Sequence, residues 1–406
     1  MKILQINTSL NSGSHGRIAE DIGKVLLTNG HESVIAAAHT GRGSTSQVIT
    51  VGTSRDRKLH GLTTRLFDRH GFGSAGATKE LVNNIGKVKP DLVHLHNIHG
   101  YYLNIAVLFE YLKKTGVPVV WTFHDCWPFT GHCSYFDRYN CVKWQTECYQ
   151  CPNKKGYPAS YGLDQSKRNY HDKKRIFNGV QNLQIVTPSK WLANHVQHSF
   201  LQNYPVQVIH NGIDISSFKP QNGNAEIKKK WNLTGKKIIL GVASIWDKRK
   251  GLDDFIQLSK HIKPGEQIVL VGLEQKIINN LPANITGIAR TESIAELAEL
   301  YAAAEVFVNP TYVDNFPTTN IEALACGTPV VTYNTGGSPE AIDEQTGFVV
   351  EKGDIASLAT AIQKAIAIGK EHYTPLCRAR AEQYFNKEER YRDYLRVYEE
   401  LVGSKE

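Results

Sequence analysis

Short apolar runs recur along the chain and alternate with stretches whose apolar residues return every three or four positions. The runs at 2–7, 32–38, 47–52, 91–96, 118–125, 183–187 and 206–210 read as strands. A second series follows at 236–244, 266–272, 285–288, 305–310, 329–334 and 347–351. Between them, residues 16–28, 293–303 and 355–368 carry an amphipathic helical period. Strands separated by helices of this length predict βαβ units, with parallel sheets covered by helices on both faces. The pattern runs twice, broken by turn-rich sequence at 211–214 and 219–223. The prediction is an α/β chain of two doubly wound parallel-sheet domains joined near 211–222. A last helix over 387–401 is free to return to the first domain, and its period does not decide the matter.

Composition agrees with two domains: 406 residues, 41% hydrophobic and 21% charged, enough for two cores and unlike a disordered chain. No apolar stretch approaches the roughly 18–20 residues of a membrane span. Polar residues interrupt residues 1–7, so no signal-peptide core is read there and the expected location is cytoplasmic. A net charge of +8 is too mild to argue for nucleic acid. The basic excess is local, however. Lys154, Lys155, Lys167, Arg168, Lys173, Lys174 and Arg175 face only Asp164 and Asp172. Arg55, Arg57, Lys58, Arg65 and Arg69 face only Asp56 and Asp68. Such runs are commonly solvated faces; the alternative is a surface that meets phosphates or anionic lipid heads.

One segment departs from the rhythm. Residues 126–168 are rich in Cys, Tyr, Gly and Pro, without a clear helix or strand period. Cys133, Cys141, Cys148 and Cys151 fall there with seven, six and two residues between them, ending in C-x2-C. In a reducing compartment four such thiols form a structural zinc set, with Cys126 and His132 as substitute ligands. The alternative is a set of reduced thiols packed in a loop. Cys326 and Cys377 stand alone and are expected in cores.

In open α/β sheets, ligands bind beyond the carboxyl ends of the strands. After the first strand comes the turn containing Gly13, Ser14 and Gly16; after 91–96 come Asn97 and His99; after 118–123 come His124 and Asp125. In the second half the corresponding positions hold Ser244, Lys248, Arg249, Lys250 and Gly251, then Asp314, Asn315 and Phe316, then Gly336 and Gly337. The first glycine turn is weak evidence for phosphate, since an ordinary tight turn explains it. Gly336-Gly337 is stronger: Ser338 as N-cap, Pro339 at the first helical position and Glu340 in the first turn open a helix whose amides accept an oxyanion. Lys250 opens another helix and could balance a diphosphate, unless 248–250 is only a solvated turn. Asp314 and Glu322, with Pro317 in the first helical turn between them, are offset along one element and could hold hydroxyls of a sugar and a ribose. Capping and surface roles explain them equally well in isolation.

Asp314, seven residues, then Glu322-Ala323-Leu324-Ala325-Cys326-Gly327-Thr328-Pro329 resembles the E-x7-E signature of the retaining nucleotide-sugar glycosyltransferases of family four. Asn29-Gly30-His31-Glu32, Asp91-Leu92-Val93-His94-Leu95-His96, Thr187-Pro188-Ser189, His210-Asn211-Gly212-Ile213-Asp214 and Gly336-Gly337-Ser338-Pro339-Glu340 keep the family's order and spacing, so the resemblance covers nearly the whole chain. His124-Asp125-Cys126-Trp127-Pro128-Phe129-Thr130-Gly131 resembles its colanic acid and exopolysaccharide subgroup. The resemblance implies the GT-B fold, two Rossmann-like domains facing across a cleft. Residues 1–211 would bind the acceptor, 212–386 the donor, and 387–406 would pack back as a helix. It implies a donor diphosphate on Lys250 and the Gly336 and Gly337 amides, with Glu322 on the ribose and Asp314 on the donor sugar. Asn315 and Phe316 would line the donor, and the base would lie near 287–290, Arg290 among them. His124 would sit beside the sugar on the acceptor side, with Gly13, Ser14, His96, Asn97 and His99 around it. No catalytic metal is expected, and retention would proceed by front-face substitution. Two departures stand out: the family's first Glu is Asp314, and its Arg six positions before the Lys is Ser244, for which Arg249 or Lys248 would compensate.

The leading expectation is therefore transfer of a sugar from a nucleotide sugar, UDP more readily than GDP, to a lipid-linked glycan, with peripheral attachment to an anionic membrane. Asp314 and Ser244 motivate the alternative of a non-catalytic binding partner with a degraded donor site. A dehydrogenase or epimerase is the third reading, opposed by the lack of G-x-G-x-x-G after the first strand.

Overall fold

The computed structural model describes residues 1–41, 43–221 and 224–403; Asn222 and Gly223, within the expected break, lie outside them. The chain forms two compact units, residues 1–209 with the chain from Tyr391 onward, and residues 210–390.

The first unit holds β1 (Lys2–Ser9), α1 (Gly13–Thr28), β2 (Glu32–His39), β3 (Gln47–Thr50), α2 (Ser54–Phe67) and α3 (Ala75–Val88). It continues with β4 (Leu92–Leu95), α4 (Ile105–Thr115), β5 (Val119–Thr122), α5 (Ser166–Phe177), β6 (Leu183–Thr187), α6 (Lys190–Gln197) and β7 (Val206–Val208). Its seven strands are parallel, in the order β3-β2-β1-β4-β5-β6-β7. The second unit comprises α7 (Ala225–Lys230), β8 (Lys237–Val242), α8 (Leu252–Leu258), β9 (Glu266–Val271), α9 (Gln275–Ile278) and β10 (Ile285–Ile288). After these come α10 (Ile294–Ala303), β11 (Val306–Asn309), α11 (Thr318–Ala325), β12 (Val330–Tyr333), β13 (Gly347–Val350), α12 (Ile355–Ile368) and α13 (Lys370–Phe385). Its six parallel strands run β10-β9-β8-β11-β12-β13.

The inner strands form because they are apolar on both sides. Ile3, Leu4, Ile6, Val93, Val120 and Ile185 are all fully buried, as are Ile239, Leu240, Phe307 and Val331. Each sheet reverses its winding at its third strand, β1 between β2 and β4, and β8 between β9 and β11. Diverging connections leave a crevice at the carboxyl ends of such a strand pair; Gly13 and Asn97 follow β1 and β4, and Lys250 and Asp314 follow β8 and β11.

Several boundaries differ from the sequence expectation. α1 begins at Gly13, three residues early, and β5 ends at Thr122 rather than 125. Pro317 precedes α11 as its cap residue instead of lying in its first turn. After Gly336, residues Ser338–Ala341 form only a 3-10 turn, with Gly337 in the cap position in place of Ser338. The division falls before residue 210 rather than after 211, and the last helix, α14 (Lys387–Gly403), contributes 387–390 to the second unit.

From Tyr391 onward α14 belongs to the first unit. Tyr391, Tyr394, Val397 and Tyr398 recur on one helical face and are buried with Ile3, Ile18, Ile22, Leu92 and Val120. Tyr398 OH donates to His94 Nδ1 at 2.7 Å, and His94 Nε2 lies 2.8 Å from Thr122 Oγ1. The tail thus caps a buried polar group in the sheet. Tyr398→Ala should cost about 3–5 kcal/mol, and Tyr398→Phe about 1–3 kcal/mol for the stranded His94 nitrogen. Urea denaturation of the two variants checks this order; equal midpoints for wild type and Tyr398→Ala would exclude a structural tail.

Candidate active site

In the second unit the turns after β8, β11 and β12 meet. The Asp247 side chain accepts the N–H groups of Arg249 and Lys250 at 2.9 and 3.1 Å, closing the 248–250 turn. Arg249 carbonyl accepts from Tyr312 N–H at 2.8 Å, tying that turn to the β11 end. Gly251 is at φ +75°, and a Cβ there would stand 2.2 Å from Pro310 O, so only glycine permits this approach. The outcome is an ion pair: Lys250 Nζ donates to Asp314 Oδ2 at 2.5 Å, with about a fifth of each side chain exposed.

Gly336 backs the same carboxylate segment. Its φ is +57°, and a Cβ would fall 1.7 Å from Asp314 O. The N–H of Gly337 donates to Asn315 O at 3.0 Å, and that of Ser338 to Thr335 O. Of the expected pair of glycine amides, the one at Gly337 is thus engaged within the turn. Behind the turn, Asn320 donates to Ser338 O and Oγ at 3.1 and 3.0 Å and accepts from Asn309 Nδ2 at 2.8 Å. Thr332 Oγ1 closes the network, 2.6 Å from Ser338 Oγ. These buried polar groups satisfy one another and fix α11 against β11 and β12. Glu322, one turn into α11, is half-buried and accepts from Tyr301 OH at 2.9 Å.

The remaining donor-side candidates disperse. Asn315 is buried beside Asp314. Phe316 is buried and stacked on His210, with ring centroids 4.8 Å apart, so its ring serves the unit's packing. Ser244 is exposed beyond β8, and Arg290 is exposed beyond β10, an edge strand two removed from β8. Arg249 reaches the carbonyl of Val313 at 3.5 Å.

In the first unit the candidates gather at the β1–β4 switch. Gln5 Nε2 donates to Ala19 O at 2.9 Å, so its Oε1 accepts from His96 Nε2–H at 3.0 Å. His96 Nδ1 then accepts from His124 Nε2–H at 3.1 Å. This chain leaves the Nδ1 lone pair of half-buried His124 as an acceptor. His15 follows at a ring distance of 5.9 Å, held by Asn7 Oδ1 at 3.0 Å. Burial, then His96 and His15, holds His124 well below the ordinary histidine value, so it is neutral at neutral pH. Asp125 lies 3.0 Å from His99 Nε2, and His99 Nδ1 lies 3.2 Å from Tyr157 OH. Burial would raise Asp125, but His99 and the Trp127 N–H overcome it and hold the carboxyl below its usual range. Gly13 and Ser14 are exposed in the first turn of α1, and Asn97 contributes its carbonyl to Thr8 and Tyr102. The polar partners Asn7, Gln5, Tyr157 and Tyr301 have no signature of their own, because each acts through a residue distant in sequence.

The four cysteines Cys133, Cys141, Cys148 and Cys151 line one small cavity. Among the described residues, no three His, Cys, Asp or Glu side chains already stand in a metal-holding array. Cys126 is buried outside that cavity.

Two parallel sheets that each reverse their winding, with a lysine–carboxylate pair beyond β8 and β11 and a glycine turn beyond β12, are the architecture expected of the GT-B fold. Comparison with known proteins agrees. The family described as Glycosyltransferase Family 4 matches residues 15–217, and Glycosyl transferases group 1 matches 236–367. The chain belongs to glycosyltransferase family 4. It is 27% identical to the putative colanic acid biosynthesis glycosyl transferase WcaC of Escherichia coli, over 90% of this chain and 91% of that one. It is 30% identical to the capsular polysaccharide biosynthesis glycosyltransferase CapM of Staphylococcus aureus, over 38% and 43% of the two chains. Among solved structures, sucrose-phosphate synthase of Thermosynechococcus elongatus superposes with TM-score 0.72 at 19% identity, covering 99% of both chains. Anabaena Alr3699/HepE in complex with UDP gives 0.70 at 18% identity over 98% and 99%. These two share the fold.

The histidines carry a pH prediction. Burial lowers His15 and His60 to about 4, and holds His70, His94, His96 and His124 well below 6.5. An unfolded chain binds these protons near pH 6.5, so stability contributed by the neutral rings is complete above 6.5 and lost as pH falls towards 4. The urea midpoint of the transition followed by tryptophan fluorescence should fall steadily from pH 7 to about 5. A flat midpoint over that range contradicts the buried-neutral assignment.

Proposed function

We propose that this chain transfers a sugar from a nucleotide sugar to a growing glycan in polysaccharide assembly, with retention of anomeric configuration. The observation that carries the reading is the Lys250–Asp314 pair, set against Gly336 with Glu322 one turn into α11. An ammonium held by a single carboxylate can exchange that partner for a diphosphate, and the carboxylate then becomes free for sugar hydroxyls. Glu322 supplies a second acceptor, which we assign to the ribose. The names of WcaC and CapM support the polysaccharide role, and HepE in complex with UDP supports a uridine nucleotide.

In the proposed reaction the bond between the anomeric carbon and the diphosphate oxygen breaks, its electron pair leaving with the phosphate. The acceptor hydroxyl bonds to the carbon on the same face and gives its proton to the departing phosphate oxygen. Lys250 and the Gly336 amide offset the charge that develops there. Neutral His124 offers its Nδ1 lone pair to a substrate hydroxyl and orients it. This scheme uses no metal at the reacting centre.

Thermal unfolding against UDP, GDP, ADP and their sugars tests the donor site. A ligand at about 100 times its dissociation constant adds roughly 2.7 kcal/mol, which is readily seen. One base class should stabilise the wild type, and Lys250→Ala and Glu322→Ala should lose the effect. No response to any nucleotide by folded protein overturns the reading. Binding without turnover on any acceptor extract favours the second reading, a non-catalytic binding partner, to which the exposed Ser244 and the short Asp314 point.

We further propose that the acceptor is lipid-linked and that the first unit rests on an anionic membrane. No helix among the described residues is long and apolar enough to cross a membrane. α2, however, is turned inside out: His60, Gly61 and Thr64 are buried, while Leu59, Leu62, Leu66 and Phe67 are 46–63% exposed. Tyr161 and Leu163, also exposed, are bonded to it through the carbonyls of Arg65 and Leu66. Exposed Arg55, Lys58 and Arg65 flank this patch. The protein should co-sediment with vesicles containing anionic lipid and be released by salt, and Leu59→Ser/Leu62→Ser/Leu66→Ser should abolish this. Equal recovery of wild type and variant in the supernatant at low salt contradicts it.

A further inference from the structure

We propose that the thiolates of Cys133, Cys141, Cys148 and Cys151 bind one zinc ion that staples the 126–165 loop, independently of what the protein transfers. The loop holds three short 3-10 turns, Trp127–Phe129, Asp137–Tyr139 and Lys143–Gln145, and none of the unit's named strands or α-helices precedes α5 in it. Its four cysteines, distant from each other by up to eighteen residues in sequence, converge on one cavity with Thr130, His132, Phe136 and Trp144. None is in a disulfide. Four soft sulfur donors ending in C-x2-C suit tetrahedral zinc.

Three independent features point to a charged occupant. The N–H of Gly131 donates to Cys148 Sγ at 3.2 Å, the contact a thiolate receives. The Trp144 and His132 side chains, 1% and 2% exposed, line the cavity, yet Trp144 Nε1 and His132 Nε2 have no hydrogen-bond partner among the described residues. Stranding two buried polar atoms at an apolar cavity is costly, and thiolates on a metal would give Trp144 N–H an acceptor. Finally, fully buried Lys173 donates to the carbonyls of Trp127 and Thr130 at 2.7 and 3.0 Å, with Cys148 and Cys133 among the groups acting on it electrostatically. A zinc ion with four thiolates carries two negative charges, and Lys173 offsets part of them. The sulfurs are gathered but not drawn to one point, which is the movement a metal would impose.

The staple has a consequence for the candidate site. The loop carries Tyr157, whose OH meets His99, the partner of Asp125 beside His124. A loop fixed by zinc keeps that buried chain in place.

Tag-free full-length protein purified without chelator and under reducing conditions should contain about one zinc per chain by elemental analysis. Cys148→Ser/Cys151→Ser should contain about a tenth of that or less. Because the variant can misfold, the decisive measurement is on the wild type: exchange for cobalt(II) should give sulfur-to-cobalt absorption in the near ultraviolet and tetrahedral visible bands of an all-sulfur set. A three-sulfur, one-nitrogen spectrum overturns the role of Cys141 and gives its place to His132, whose Nδ1 is held by Asp68. Little zinc after reconstitution, with no cobalt–thiolate absorption, overturns the site.

Discussion

The arrangement of the second unit turns on one ion pair. Lys250 and Asp314 lie 64 positions apart in the chain, at the ends of two adjacent strands, and are largely withdrawn from water. A lone ammonium or carboxylate so placed would be poorly solvated, so each needs the other until a ligand arrives. The backbone serves this pair. Gly251 brings the lysine turn against Pro310, Gly336 brings a third turn against Asp314, and Asp247 closes the first turn by accepting its amides. The Asn309–Asn320–Ser338–Thr332 network holds α11, and with it Glu322, in a fixed relation to the pair. A diphosphate would therefore meet a cation already positioned, and its binding would release a carboxylate for the sugar.

The first unit solves a different problem, the burial of polar rings at the strand ends. Gln5, His96 and His124 form a relay in which each hydrogen bond fixes the next tautomer, and its outer end presents a neutral acceptor. His94 is satisfied from the other side by Tyr398 of α14. The tail helix is thus part of the same polar architecture, and the last described segment of the chain supports a site built from the first hundred and twenty-five residues.

The inner strands were legible because parallel strands buried on both faces are nearly continuous apolar runs, whereas the more exposed edge strands β3 and β7 followed from the regular alternation of strand and helix. Asp314 and Glu322 came forward through the resemblance to the E-x7-E signature, since in isolation capping and surface roles explain them equally well. Caps were less legible. Ser338 has the side chain of an N-cap, but Asn320 and Thr332 claim its hydroxyl, and Gly337 takes the position. Phe316 sits within the signature, yet its ring is taken by His210 and Phe385. The inside-out character of α2 was hidden too, because its basic residues are visible in sequence while the exposure of its leucines depends on what the fold buries beneath it. Contacts such as Tyr157 with His99, or Tyr301 with Glu322, join residues whose spacing carries no period, and only the folded chain assembles them.

The central claim is that Lys250 exchanges Asp314 for the second phosphate of a nucleotide. Calorimetric titration with uridine and guanosine mono- and diphosphates, on wild type and Lys250→Gln, tests it most directly. The wild type should bind one diphosphate more tightly than its monophosphate by tenfold or more, about 1.4 kcal/mol or above. Lys250→Gln should bind the two alike. A variant that keeps the full preference for the diphosphate would contradict the account and place the phosphate elsewhere.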